Sequence, residues 1–349
     1  MKEPGEAGPE SPRVRIKDVA VAAGVSTATV SLAYNNKGEV AAATRKKVLA
    51  VGEGLGYQPN PSGRALRTGQ TRILGVLVSY RDSPVWQETY LPYYRGIISD
   101  AAIEAMDHGY SVVAASPKPG NLAESIAQLD GAIVVDPLDN DAIVDHCAAR
   151  GIPLVADGGF VGGRRADKQM VVRGDVERYV HDILDLTAQQ HHTRTGRPLG
   201  SAALFTGSII DRYTADTEAA FSSWCAANAV DARVTALEPG GAVTEVARRI
   251  LATDRPEAVY CLNESYSGAI ISAARALELG IPDDVLLSSA ATSEQAIRDP
   301  RVNYVESADA EGPGRRAVRL LVNYLESAVQ EDATVAFRLR PAVAPTPLR

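Results

Sequence analysis

An N-terminal all-α helix-turn-helix head, followed by an α/β core of two parallel-sheet lobes, is the fold class the sequence predicts. Three observations predict it. Two short apolar-periodic segments flank Gly24-Val25-Ser26. Ten Lys/Arg against three Asp/Glu give residues 13–72 a net charge of +7. From Arg72 onward, apolar strand-like runs alternate with helical periods, a pattern that implies parallel sheets closed by helical crossovers.

Met1 to Pro12 is rich in Glu, Pro and Gly and has no apolar stretch, so residues 1–12 read as a disordered tail and not as a signal peptide. The head is expected over residues 13–58. Lys17 to Ala23 places Val19, Ala20 and Ala23 on one helical face. Ser26 opens a second helix, where its hydroxyl can accept a bond from the free amides. Val30, Ala33 and Tyr34 give that helix its apolar face. Two such helices joined by a tight Gly-containing turn form a helix-turn-helix, whose second helix can enter a DNA major groove. Spacing alone fits an ordinary helical hairpin equally well.

Asn35-Asn-Lys-Gly-Glu39 reads as a turn. Thr44 is the expected cap of a third helix, with Val48, Leu49 and Leu55 as its apolar stripe and Arg45-Lys-Lys47 on its polar face. Residues 59–70 read as a linker by Pro61, Gly63 and Gly69. Yet Asn60 is a good cap and Pro61 suits a first helical position, so Ser62 to Arg67 can form a short hinge helix. So short a helix needs a partner, either DNA or its twin in a dimer, because nucleation is costly.

The core is expected over residues 71–349. Ile73 to Val78 is a continuous apolar run, as in a strand buried on both faces. Strand-like runs follow at residues 111–115, 132–135, 153–156, 201–205, 232–237, 258–261 and 285–287, with helical periods between them. These suffice for two sheets, and ligands sit at the carboxyl ends of such strands. Apolar residues make up 45 % of the 349 and charged residues 23 %, which is ample material for a core. Residues 1–12 carry −2 and the whole chain −7, so residues 73–349 carry −12. A basic head on an acidic body suits a module that touches phosphates joined to one that does not.

Several function classes lose support. No apolar run approaches the roughly 20 residues of a membrane span. No GxGxxG or GxxxxGK[ST] follows a strand. Cys147, Cys225 and Cys261 lack metal spacing and fit a reduced cytoplasm. His191-His192 suggests a metal, but adjacent histidines point apart on a helix, and a solvated helix end is the expected reading. Gly207-Ser208 lacks a nucleophile elbow. No catalytic residue, cofactor or metal is expected.

The order Ile16-Lys-Asp-Val-Ala20, Ala23-Gly-Val-Ser26, Thr29-Val-Ser31, Asn35, Thr44-Arg45, Leu55-Gly-Tyr57, Pro59-Asn60 and Arg64-Ala-Leu66 resembles the head and hinge of the lactose-repressor (LacI/GalR) family. The clearest resemblance in the body lies in Leu129 to Ile143, Arg255 to Glu264 and Glu278 to Val285, similar to the family's periplasmic-binding-protein-like effector core.

The resemblance implies that Thr27, Ala28 and Leu32 lie where bases are read, with Ser26, Thr29 and Ser31 on phosphates. It places Asn35, Asn60 and Arg64 among the DNA-binding positions and Leu66 at the minor-groove wedge. Leu32 departs from the frequent Arg; it cannot grip guanine bidentately but can pack on a thymine methyl. The implied effector contacts are Tyr80, Asp136, Asp139, Asp157, Arg212, Asp216, Asn263 and Glu264. Ser288-Ser-Ala-Ala-Thr292 replaces the family's Gly-Tyr/Phe-Asp-Asp, so a carboxylate is lost there. The implied architecture is an N-lobe of about 71–160 plus 291–330 and a C-lobe of about 161–290 plus 331–349. The implied partners are double-stranded DNA carrying a near-palindromic operator, a small-molecule effector (a sugar or related metabolite) and a second copy in a homodimer, all in the cytoplasm and away from membranes. The rival reading is a soluble small-molecule binding protein or sensor with no DNA function.

Overall fold

A computed structural model describes residues 14–34, 40–58, 69–79, 91–117, 120–162, 165–208, 211–291, 298–308 and 311–343. The tail at 1–12, Asn35, hinge residues 59–68 (with Asn60, Arg64 and Leu66) and Tyr80 lie outside them. The chain divides between Thr71 and Arg72 into two units.

In the first unit, α1 spans Ile16–Ala23, α2 Thr27–Tyr34 and α3 Ala42–Gly54. Gly24 ends α1 at φ +67°, a left-handed turn that glycine makes without a Cβ penalty, and α2 leaves at 103° to α1. Ser26 Oγ accepts the Thr29 amide at 3.0 Å, the capping bond its position predicts. Val19, Ala20, Ala23, Val30, Ala33 and Val48 form the three-helix core, and Tyr34 meets Tyr57 edge-on with centroids 5.3 Å apart.

Two details of α3 differ from expectation. It starts at Ala42 with Ala41 as a cap that makes no side-chain bond, so Thr44 lies inside the first turn. Leu49 and Leu55 are exposed, because the 3.6-residue period from Val48 runs inward through Val51 and Gly52 instead. A Cβ on Gly52 would collide with the Tyr34 hydroxyl. Gly52→Ala is therefore expected to destabilise the head by about 1–3 kcal/mol, against the gain in helix propensity. Faster hydrogen exchange of the α1 and α3 amides in the full chain would register it.

The second unit holds two six-stranded sheets. The first orders its strands β11-β5-β4-β3-β1-β2 and the second β12-β10-β9-β8-β6-β7. Strands β1 (Ile73–Val78), β2 (Ser111–Ala115), β3 (Gly131–Val135), β4 (Leu154–Asp157), β5 (Gln169–Gly174) and β11 (Ala333–Val335) run parallel. So do β6 (Ser201–Gly207), β7 (Asp231–Leu237), β8 (Ala258–Cys261), β9 (Leu286–Ala291) and β10 (Asn303–Ser307), while β12 (Phe337–Arg340) pairs antiparallel with β10. The helices are α4 (Leu91–Asp107), α5 (Leu122–Ile126), α6 (Ala142–Arg150), α7 (Val176–Thr195), α8 (Arg212–Ala227), α9 (Val243–Arg249), α10 (Glu264–Ala276) and α11 (Pro313–Ser327), with a π-turn at Ile250–Asp254. The central strands are buried throughout, as helices on both faces require.

The expected lobe boundaries need correction. Gln169–Gly174 pairs with β4, so the N-lobe continues past 160 to 174. Asn303–Ser307 pairs with β9 and belongs to the C-lobe, whereas α11 packs on α4, β3, β4 and β5. Ala333–Val335 returns to the N-lobe sheet. Pairing, not local composition, sets these crossings. His191 also departs from expectation: it is buried and lies 3.6 Å from Glu257, while His192 is exposed. Among the described residues no single helix is long and apolar enough to cross a membrane.

Candidate functional site

In the head, the outer face of α2 carries Thr27, Ala28 and Leu32, all exposed, with Ser31 half-buried beside them. Leu32 is 39 % exposed, an apolar side chain presented with no core to join. Ser26 Oγ and Thr29 Oγ1 lie 2.9 Å apart. Ser26 uses one lone pair on the Thr29 amide, and its remaining hydroxyl capacity stays at the helix start, where amides favour an anion. Lys17, Lys46 and Lys47 are exposed on the same unit.

In the core, a cleft of about 600 Å³ lies between the two sheets' lobes, within the range of small-molecule sites. It collects the carboxyl ends of strands and the starts of helices, where backbone groups free of a ladder can face a ligand. Asp136 follows β3 at φ +45°, a left-handed conformation in a non-glycine residue. Its carboxylate accepts from Tyr94 at 3.3 Å. Asp157 ends β4 and accepts from the Tyr93 hydroxyl at 2.7 Å. Burial pushes the Asp157 carboxyl up to about 7; Tyr93's hydrogen bond pulls it back and Asp211's charge adds to the rise.

Asp211 caps α8 by accepting the Thr214 amide at 2.7 Å, and Asn263 caps α10 by accepting Ser265 N at 3.0 Å and Tyr266 N at 3.2 Å. Tyr213 donates to the Leu262 carbonyl at 2.9 Å. Tyr93, Tyr179, Tyr213 and Phe337 supply aromatic wall, and Glu306 meets Arg338 at 3.0 Å and Arg298 at 3.7 Å. Burial, first of all, raises the Tyr93, Tyr179 and Tyr213 hydroxyls well above the ordinary tyrosine value, so they stay neutral donors.

Of the expected effector residues, the cleft brings together Asp136, Asp157 and Asn263. Four do not line it. Asp139 is exposed on the turn after β3. Arg212 and Asp216 bind one another at 2.8 Å one helical turn apart, which spends both charges. Glu264 sits in the first turn of α10, behind the cap. The sequence reading missed Tyr93, Asp211, Tyr213 and Glu306. Asp211 alone carried a local signal, an Asp directly before a helix. Among the described residues no group of three or more His, Cys, Asp or Glu could hold a metal.

Residues 15–60 match the family described as bacterial regulatory proteins, lacI family, and residues 189–342 match the periplasmic binding protein-like domain. The chain belongs to the lacI family of bacterial regulatory proteins. This lacI-family chain is 30 % identical to the HTH-type transcriptional regulator MalR of Staphylococcus xylosus over 42 % of its length, and spans 44 %, under half, of MalR. It is 26 % identical to the HTH-type transcriptional repressor PurR of Photobacterium profundum over 77 % of its length and 79 % of PurR. A solved Lac repressor dimer bound to operator and the anti-inducer ONPF shares the fold at a TM-score of 0.75 and 20 % identity, covering 95 % of this chain and all (100 %) of that one.

Proposed function

We propose that the protein is a sequence-specific DNA-binding transcriptional regulator, acting as a repressor, whose operator affinity is set by a small metabolite held between the core lobes. One observation carries this reading: the same chain joins a lacI-type head to a lobe-flanked cleft lined by buried carboxylates and tyrosines. The exposed Thr27, Ala28 and Leu32 of α2 are the base-reading positions, and Ser26, Thr29 and Ser31 hold phosphates. Asn35 adds a DNA contact from the head, and Asn60, Arg64 and Leu66 extend the contact through the hinge. The protein works as a homodimer on a near-palindromic site, in the cytoplasm, with no catalytic step. MalR and PurR carry regulator and repressor in their names, and the Lac repressor structure is titled as a dimer bound to operator; each supports the reading by likeness. Effector closure of the lobes couples to the head as a free-energy link between two sites.

Selection from random duplexes tests the DNA claim. Enrichment of a palindromic site whose affinity falls steeply with salt is expected; its absence leaves the small-molecule sensor. Leu32→Arg is expected to shift preference at one base of each half-site toward guanine, by about 1–3 kcal/mol. Native mass spectrometry of the full chain after exposure to a metabolite extract tests the cleft. A retained small molecule is expected, and lost in Gly96→Trp, because Gly96 lines the cleft with open space beside it.

A further inference from the structure

Arg72, the first residue of the second unit, holds φ at +61°. A left-handed turn at so bulky a side chain persists only where its surroundings fix it, and such residues gather at switch points. The surroundings of Arg72 grip it on three sides. Its amide donates to Asp130 Oδ2 at 2.8 Å, and its carbonyl accepts the Ser111 amide at 2.9 Å. Its guanidinium donates to the His108 carbonyl at 3.4 Å and lies over the Tyr110 ring, 4.7 Å from the centroid, where the ring face attracts a cation. The chain arriving from the hinge therefore enters the core through a clamped point.

Two elements lead from this clamp to the cleft. Asp130 directly precedes β3 and Asp136 directly follows it; the strand between them is buried at all five residues and spans about 20 Å from one Asp to the other. His108 and Tyr110 follow the end of α4, whose first turns line the cleft with Tyr93 and Ile97. At the cleft the two routes meet again. Tyr94 donates to Asp136 at 3.3 Å, and Tyr93 donates at 2.7 Å to Asp157, on the strand paired with β3. Arg72 thus closes a ring of contacts, with β3 on one side, α4 on the other and the cleft at the far end. Close-packed elements transmit a shift instead of absorbing it. A ligand that moves Tyr93 or Tyr94 against Asp136 or Asp157 therefore changes the gap between Asp130 and His108, which Arg72 bridges. Resting on the reading of this chain as an effector-controlled operator binder, we propose that Arg72 is the positioning residue that couples the cleft to the hinge. While the ring is closed, Arg72 keeps its left-handed turn and fixes the direction in which the chain leaves the core. When the gap shifts, the clamp releases, φ returns to the extended region that a bulky side chain prefers, and that direction changes.

Coupling is reciprocal, so an operator must act back on the cleft. Hydrogen exchange of the full chain, with and without a saturating amount of the duplex selected from the random pool, tests this. The reporters are the Asp136 amide, bonded to the Asp157 carbonyl at 3.2 Å, and the Gly158 amide, bonded to the Val172 carbonyl at 2.9 Å. The duplex is expected to change their exchange rates at least about fivefold. Arg72→Gly keeps the left-handed turn without a Cβ penalty but removes both guanidinium contacts, and there the change is expected to vanish. The Ala203 and Val259 amides, on paired strands of the C-lobe sheet, should exchange as in the unmutated chain, which marks the variant as folded. If they do not, Arg72→Lys carries the test: it keeps a cation for the Tyr110 ring but loses the planar fork, and the response at Asp136 and Gly158 should shrink. A full response in a folded variant overturns the proposal. So does a bound duplex that leaves both amides unchanged in the unmutated chain, and either result leaves the DNA-binding reading standing. Failure to enrich any duplex overturns that reading, and the proposal with it.

Discussion

Gly314→Ala is expected to destabilise the core by about 2–3 kcal/mol, although it adds a single methyl group. Gly314 lies in the first turn of α11, where that helix crosses α4. A Cβ there would stand 2.5 Å from the Ile97 carbonyl oxygen, 2.9 Å from Asp100 Cβ and 3.1 Å from the Ala101 nitrogen. Two of these three are backbone atoms, so no rotamer change relieves the contact and the helices must separate. Separation is resisted, because Arg319 ties α11 to the buried Glu104 of α4 at 2.6 Å and to Glu311 at 2.7 Å. The Arg319 hydrogen bond holds the Glu104 carboxyl below its ordinary value, so this strap stays ionised at neutral pH. Tyr93, Ile97, Asp100 and Pro313 of the same two helices line the cleft, so ligand retention should fall together with stability. Urea denaturation measures the first effect and native mass spectrometry the second. An unchanged midpoint would mean that α4 and α11 part without cost.

Much of the fold was legible because buried parallel strands and amphipathic helices leave local traces. Ile73 to Val78, Ser111 to Ala115 and Ala258 to Cys261 are apolar runs of strand length, and the helices between them show the 3.6-residue period. Lobe membership left no such trace. Ala333–Val335 and Phe337–Arg340 are separated by Ala336 alone, yet they join different sheets, and only long-range pairing decides which.

The cleft divides the same way. Asp136 and Asp157 followed from the rule that ligands gather at strand ends. Asp139 did not, because positive φ at Asp136 (45°) and Asn140 (52°) turns the chain outward between them. Arg212 and Asp216 looked available in sequence but satisfy each other at a spacing of four residues. Tyr93 sits 64 residues from Asp157, a separation across which periodicity carries nothing.

The ligand-free core is expected to lose stability as pH rises from about 5 to about 8, and Asp157→Asn to remove most of that loss. In the unfolded chain this carboxyl ionises near its ordinary value of 3.8, whereas in the fold it holds its proton to about 7. Between those values the native state binds the extra proton, so the unfolding free energy falls with pH and levels off above about 7. From pH 5 upward the loss is on the order of 2–3 kcal/mol, at about 1.4 kcal/mol per pH unit. Glu104, Glu257, Asp299 and Asp332 have lowered values. Their stabilisation is lost only as pH falls through the acid range, so they contribute no slope in this window. Glu218 is raised, chiefly by burial, and adds a smaller slope of the same sign that persists in the variant. Asparagine keeps an oxygen for the Tyr93 hydroxyl and cannot ionise, so the variant should be the more stable protein at pH 8 and nearly matched at pH 5. Denaturant midpoints of the two proteins across this range decide it. Parallel curves would mean that the Asp157 carboxyl is already ionised at pH 5 in the folded protein.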